Sequence, residues 1–283
     1  MESEEIHIKL LSNILRNETL IIPKGKKVTI DFNGFNIAAA DNFSSSSGLV
    51  AVSHGATLKL KGYECGIRGG KNVIAGVIMT ADDDISQTAT LIVEDKVIIE
   101  GWSFGVTGEG SSTSTNTRIE LNGGIIRCLD LENGAGVYHP QGDGILIIDG
   151  AEILGSTGIE VRAGSLEMKS GTVKGIVFPN LCVASGGGST TSGCGIAVCQ
   201  HITKLPINVK ITGGFIEGYC AFFEANPQKN SQEDISKIKL SLDGGYYFSA
   251  MAMENVYSED VQHFITSKCH FGSTTPDDKY MVN

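Results

Sequence analysis

Glu160 and Arg162 stand two residues apart in "GIEVR", residues 158–162. Glu109 and Tyr138 occupy matching places in "GVTGE", residues 105–109, and "GVYHP", residues 136–140. Residues two apart on a strand point to the same side, and paired strands lie about 4.8 Å apart. If the three stretches are neighbouring strands, these four side chains form one polar patch with an aromatic face. Two carboxylates facing each other across a bond can act as acid and base, or as acid and nucleophile, on a glycoside. An Arg held in an unusual environment can serve as the base of a lyase. Glu109, Glu160 and Arg162 are therefore the catalytic candidates. Tyr138, Glu160 and Arg162 are the ligand-binding candidates, because a sugar site mixes carboxylate, cation and aromatic ring. The plainer alternative is a solvated strand face carrying a Glu160–Arg162 neighbour pair. Strand parity turns the adjacent His139 inward.

Other constellations carry less. Asp82, Asp83 and Asp84 could gather a hard cation, but EF-hand spacing is absent and the run reads as a solvated loop. Cys194, Cys199 and His201 lack a fourth ligand at zinc spacing. No metal and no cofactor is expected. The loops "GEGSSTSTNT", residues 108–117, and "SGGGSTTSG", residues 185–193, do not match a phosphate-cradling P-loop. The seven cysteines are odd in number and none has C-x-x-C spacing, so they read as free thiols of a reducing compartment.

Composition narrows the class. A formal net charge of −10 argues against nucleic acid and against docking on anionic lipid. Glycine is abundant at 36 of 283 residues and charged residues are sparse at 19%. Ordinary domains run to about 7% and about 25%. The start "MESEEIHIKL" lacks the apolar core of a secretory signal. No run approaches the roughly 20 apolar residues that a membrane span needs.

The elements that must position the patch come from a repeat. "TLKLKGYECGI", "TLIVEDKVIIE", "RIELNGGIIRC", "ILIIDGAEILG", "SLEMKSGTVKG", "NVKITGGFIEG" and "KLSLDGGYYFS" share the form apolar-x-apolar-polar-Gly-Gly-x-Ile/Val-x-Gly. "KVTIDFNGFNI" is a weaker first copy. Their first apolar members are Val28, Leu58, Leu91, Ile119, Leu146, Leu166, Val209 and Leu240. Period-two apolar residues argue for strands. The longest interval holds "PNLCVASGGGSTTSGCG", residues 179–195, which reads as an inserted surface loop. A short element follows glycine at Gly48, Gly76, Gly105, Gly136, Gly158 and Gly195, and its inward row is expected to be Leu49, Val77, Val106, Val137, Ile159 and Ile196, then Phe222 after Ala221. Outward positions Val50, Val52, Ile78 and Phe223 are apolar. A strand apolar on both faces is normally covered on both, so these four are the candidate oligomer interface.

Such a repeat predicts an all-β fold, a right-handed parallel β-helix of about eight coils in which equivalent strands stack. Leu58 is expected on Leu91, Leu91 on Ile119, and Ile119 on Leu146. Val209 and Ile211 are expected between Leu166 and Met168 on one side and Leu240 and Leu242 on the other. Residues 1–17 are expected as an N-terminal cap; Ile6, Leu10, Leu11, Ile14 and Leu15 fit a helical face, and Ile6, Ile8 and Leu10 equally fit a strand. Residues 18–250 form the β-helix, and residues 251–283 a C-terminal cap or partner-docking segment.

"IPKGKKVTIDFNGFNI", residues 22–37, resembles the opening coil of pectate-lyase-like right-handed β-helix proteins. The tandem units resemble those of bacteriophage fibre and capsid-appendage β-helix proteins, and "FGSTTPDDKYMVN", residues 271–283, resembles their closing segments. That resemblance implies a homotrimer in a virion, made in the host cytoplasm. It implies contact with other capsid or tail proteins and with host-surface polysaccharide. Together with the free thiols, the lack of a secretory signal and the weak catalytic patterns, it favours a non-enzymatic virion protein. The polygalacturonase pattern fails here: "NTR" at 116–118 and "SHG" at 53–55 stand without the partner motifs. A polysaccharide lyase or hydrolase acting on an acidic glycan is the alternative.

Overall fold

The computed structural model describes residues 5–80, 87–109, 116–176, 181–250 and 254–274. Asp82–Asp84, most of the 108–117 loop and Tyr280 lie outside them. The regular structure of the described chain is almost wholly strand, in long parallel sheets, an arrangement compatible with a solenoid.

Each repeat contributes one strand to each of three rows. The first row holds the alternating strands, including Thr57–Lys61, Ala89–Val93, Thr117–Leu121 and Ile207–Ile211. Leu58 pairs with Leu91, Leu91 with Ile119, Ile119 with Leu146, and Leu146 with Leu166. Val209 and Ile211 sit between Leu166 and Met168 on one side and Leu240 and Leu242 on the other. The expected stack is therefore observed residue for residue. Leu58, Leu91, Ile119, Leu146 and Leu166 expose none of their surface. Apolar alternation specifies this register because a slip of one residue would turn every apolar side chain to water.

The second row follows the glycine corner. Ile67, Ile99, Ile126, Ile153, Val173 and Ile216 stack along it, ending on Tyr247 and Phe271. Ile145–Gly155 and Gly164–Gly175 run through the corner without a break, which joins the first two rows into one 17-stranded sheet. The two corner glycines are needed for different reasons. Gly214 has φ +100, a region that side chains strain to enter. Gly213 has an ordinary φ, but a Cβ there would run into the carbonyl oxygen of Lys169 in the neighbouring strand.

The third row is a 9-stranded sheet running from Leu20–Ile22 to Val256–Ser258. Its inward column is Val50, Val77, Val106, Val137, Ile159, Ile196 and Phe222. Val50 therefore replaces Leu49 in the expected column. Gly48 is a turn residue with φ +81, and it is Leu49 that stands level with Gly76. The glycines from Gly76 to Gly195 form a column because the second row presses against them. A Cβ on Gly136 would meet Ile153 Cγ2 at 2.6 Å, and one on Gly195 would meet Ile216 Cγ2 at 2.6 Å.

Both segments expected as caps contribute strands to the rows. Glu5–Lys9 pairs with Lys27–Asp31, and Ile14–Arg16 pairs with Ile37–Ala39. The N-terminal segment thus begins the first and second rows, with no helix. Ile6 and Ile8 stand level with the core residues Val28 and Ile30, which is the strand pattern, although Ile8 on this first coil remains exposed. At the other end, Val256–Ser258 and Cys269–Thr274 extend the third and second rows. The helix of the described residues, Gln232–Ile235, starts where Ser231 accepts from the Asp234 N–H.

Outward side chains form charged ladders. Glu100 bridges Arg68, at 2.8 Å, and Arg127, while Lys174 reaches Glu217 at 3.1 Å.

Candidate functional site

The outward column of the third row runs Ala51, Ile78, Thr107, Tyr138, Glu160, Ala197, Phe223 and Tyr257, in register. Tyr138 and Glu160 are paired neighbours, as the expected patch requires, and Arg162 follows directly. The patch nevertheless is not a surface. Glu160 and Arg162 have no exposed surface, and Tyr138 is buried.

What covers it is the inserted loop. Leu181–Cys182 and Thr191–Ser192 pair as an antiparallel hairpin whose intervening residues lie over the column. Glu160 Oε1 accepts from the Thr190 N–H at 2.9 Å and from Thr190 Oγ1 at 2.5 Å. Its Oε2 accepts from Thr191 Oγ1 at 3.3 Å and from Ser189 Oγ. Arg162 spends its fork on main chain. Nε donates to Cys199 O at 2.7 Å, Nη1 to Gly188 O at 2.8 Å and Nη2 to Ser185 O at 3.0 Å. Gln228 Nε2 also donates to Ser185 O, and His201 Nε2 bonds Gly186 O at 3.0 Å. A buried charge is tolerated only when paired and hydrogen-bonded, and here both conditions are met.

Tyr138 packs on Phe104, ring centroids 5.1 Å apart. Burial pushes its phenol up to about 12, against a lowering influence from the Arg162 guanidinium. Burial likewise holds His201 below the usual imidazole range. Glu109 is exposed just beyond the strand Phe104–Gly108. The carboxylate pair Glu109 and Glu160 is thus split, one at the surface and one enclosed. Glu160 is enclosed and accepts from four donors of the loop, Ser189 Oγ, the Thr190 N–H, Thr190 Oγ1 and Thr191 Oγ1, so neither oxygen faces a space that a substrate could enter.

The expected oligomer interface is also corrected. Val50 and Val52 point into the chain's own core, level with Val77 and Met79, and neither is exposed. Ile78 does face outward but is buried beneath its own chain, with Gly48 against it. Phe223 is half-buried and stacks on Tyr257 at 5.2 Å.

Ser185, Gly188, Ser189, Thr190 and Thr191 are the partners that sequence reading missed. Their signal was the long interval between Leu166 and Val209 and its small polar composition, which marked a loop but not its target. A second enclosed carboxylate shows the same use. Glu224 Oε2 accepts from Ser258 Oγ at 2.6 Å and from the Asp260 N–H at 3.0 Å, and burial raises its pKa.

Among the described residues no group of three or more His, Cys, Asp or Glu side chains is placed to hold a metal ion. Among them also no helix is long and apolar enough to cross a membrane. The fold defines an all-β protein of long parallel sheets. No family model, curated protein or solved structure matches the chain.

Proposed function

We propose that the chain is a non-enzymatic structural protein, a right-handed parallel β-helix of about eight coils. It serves as a virion component, a phage head fibre, capsid decoration or tail-fibre element, and assembles as a homotrimer. The enclosure of Glu160 and Arg162 carries the non-enzymatic part. The residues best suited to glycan chemistry are consumed in fixing a loop. The stacked rows support the rod, since strands paired coil upon coil make a stiff body rather than a cleft. The sequence resemblance supports the virion setting and the trimer.

The apolar surface for assembly is not the Val50–Ile78 face. Leu11, Leu15 and Ile21, at the first strands, are 83%, 70% and 60% exposed, and among the described residues those strands are paired along one edge only. Sedimentation equilibrium over a wide concentration range tests the assembly: a trimer is expected, and a monomer throughout overturns it. Incubation with a panel of acidic polysaccharides tests the chemistry. No turnover is expected. Turnover that disappears in Glu109→Gln would instead assign an enzyme using the one exposed carboxylate of the three candidates.

A further inference from the structure

The three rows carry core columns, and each column begins and ends on a residue that water can reach. In the first row one column starts at Ile8, level with Ile30, and ends at Ile265, level with Leu242. In the second row the column starts at Ile14, level with Ile37, and ends at Phe271, level with Tyr247. In the third it starts at Leu20, level with Val50, and ends at Val256, level with Phe222. Ile8 and Ile14 are 41% and 37% exposed, and Ile265 and Phe271 are 43% and 50% exposed. Their neighbours one coil in, Ile30, Ile37, Leu242 and Tyr247, are exposed by 2% or less. Among the described residues, Glu5–Lys9, Ile14–Arg16 and Leu20–Ile22 are each paired along one edge only, and so are Val256–Ser258 and Cys269–Thr274. A strand paired on one side offers its other side to a further strand.

The two ends also carry opposite charge at the same corner. Leu20–Ile22 runs on to Lys24 and Lys26, both exposed. Val256–Ser258 runs on to Glu259, exposed, and Asp260, half-buried. Leu20 and Val256 share one column, so Lys24 and Asp260, each four residues further on, hold matching places around the coil.

We propose that copies of this chain join end to end along the rod axis, the last coil of one copy pairing strand for strand with the first coil of the next. Ile265 seats on the next copy's Ile8, Phe271 on its Ile14 and Val256 on its Leu20. The three columns then continue across the seam in the same strand direction, and the half-exposed ends become core. Charge sets the polarity. First coil against first coil would oppose lysines to lysines, and last against last would oppose carboxylates. First against last joins Lys24 and Lys26 to Glu259 and Asp260. A contact between two different surfaces does not close on itself, so it builds a filament. The contact goes beyond the proposed trimer and leaves the outward apolar surface to it: Leu15 and Ile21 stand level with Ala38 and Ala51, beside the inward column rather than in it.

The test uses the full chain and two end variants. Sedimentation velocity of the parent is expected to show a mass that grows with concentration. Electron microscopy is expected to show filaments with an axial repeat of roughly 43 Å, the height of nine third-row strands about 4.8 Å apart. Ile14→Glu spoils the first coil and Phe271→Glu the last. Each alone is expected to stay at the smallest unit, with unchanged circular dichroism. Mixed in equal amounts, they are expected to double that mass and stop, because one intact first coil meets one intact last coil. Lys24→Glu combined with Lys26→Glu, at the surface, spoils the first coil a second way and is expected to behave as Ile14→Glu does. Growth of either end variant alone overturns the proposal, and so does a mixture that fails to associate. A parent of constant mass at every concentration also overturns it, and if that mass is a trimer the proposed trimer stands without the end contact. Filaments whose smallest unit is a monomer have the reverse meaning: the end contact holds and the trimer falls.

Discussion

Arg162 Nη1 lies 3.7 Å from Glu160 Oε1, and neither side chain exposes any surface. The two are neighbours on one strand face, yet each spends most of its bonding on the loop above. Removing one partner leaves the other as a buried charge. Arg162→Ala is therefore expected to lower unfolding free energy by about 3–5 kcal/mol. Glu160→Gln, which keeps the shape and one acceptor, is expected to cost less. Guanidinium titrations followed by circular dichroism measure both. Limited proteolysis should cut Arg162→Ala first within residues 181–193. A variant that is as stable as the parent and lacks a measurable activity would show a functional rather than structural pair.

Val50 sits in the core column beside Val77. Val50→Asp is expected to prevent folding, because an unpaired carboxylate in that environment costs several kcal/mol. If Val50 lay at a subunit interface, the same change would yield a folded monomer. Gel filtration with circular dichroism separates the two outcomes.

Gly136 and Gly187 make a matched comparison. A Cβ on Gly136 would meet Ile153 Cγ2 at 2.6 Å and the Gly158 carbonyl at 2.8 Å, while nothing lies within 4 Å of one on Gly187. Neither glycine has a positive φ. Gly136→Ala should destabilise by about 1–3 kcal/mol through overpacking. Gly187→Ala should be neutral to within about 0.5 kcal/mol. Thermal melts of the two variants side by side decide it.

His139 points inward, level with Val161, fully enclosed, and neither ring nitrogen makes a hydrogen bond of normal geometry. Burial lowers its pKa to about 4. The folded state thus holds the neutral ring, while the unfolded chain takes up a proton near the ordinary value of about 6.5. Above that value the effect on stability is absent. Stability then falls as pH drops from about 6.5 towards 4, by about 3 kcal/mol in all. His139→Leu is expected to remove that part of the pH dependence. Glu224, whose pKa burial raises, acts in the opposite sense, so the difference between parent and variant is the quantity to read.

The rows were legible in the sequence because their cause is local and periodic. Leu58, Leu91, Ile119 and Leu146 recur with the same alternation and the same glycine corner, and only one stacking register buries them all. Gly213 and Gly214 announced the corner, and the inward turn of His139 followed from parity. Where the local rule slipped, the cause was a single residue: Gly48 is a turn glycine rather than a member of the packed glycine column, and reading it as such moved Val50 and Val52 to the wrong face.

The amino-acid sequence by itself thus determined the strand rows, their register and the closeness of Tyr138, Glu160 and Arg162. Only the tertiary structure decided what those three residues are for. Whether an outward polar side chain meets water or protein depends on where a loop some thirty residues away comes to rest. No periodicity encodes that. The hydrogen bonds from Ser189, Thr190 and Thr191 to Glu160, and from Arg162 to Ser185 and Gly188, turn a patch suited to glycan chemistry into the fastening of a loop.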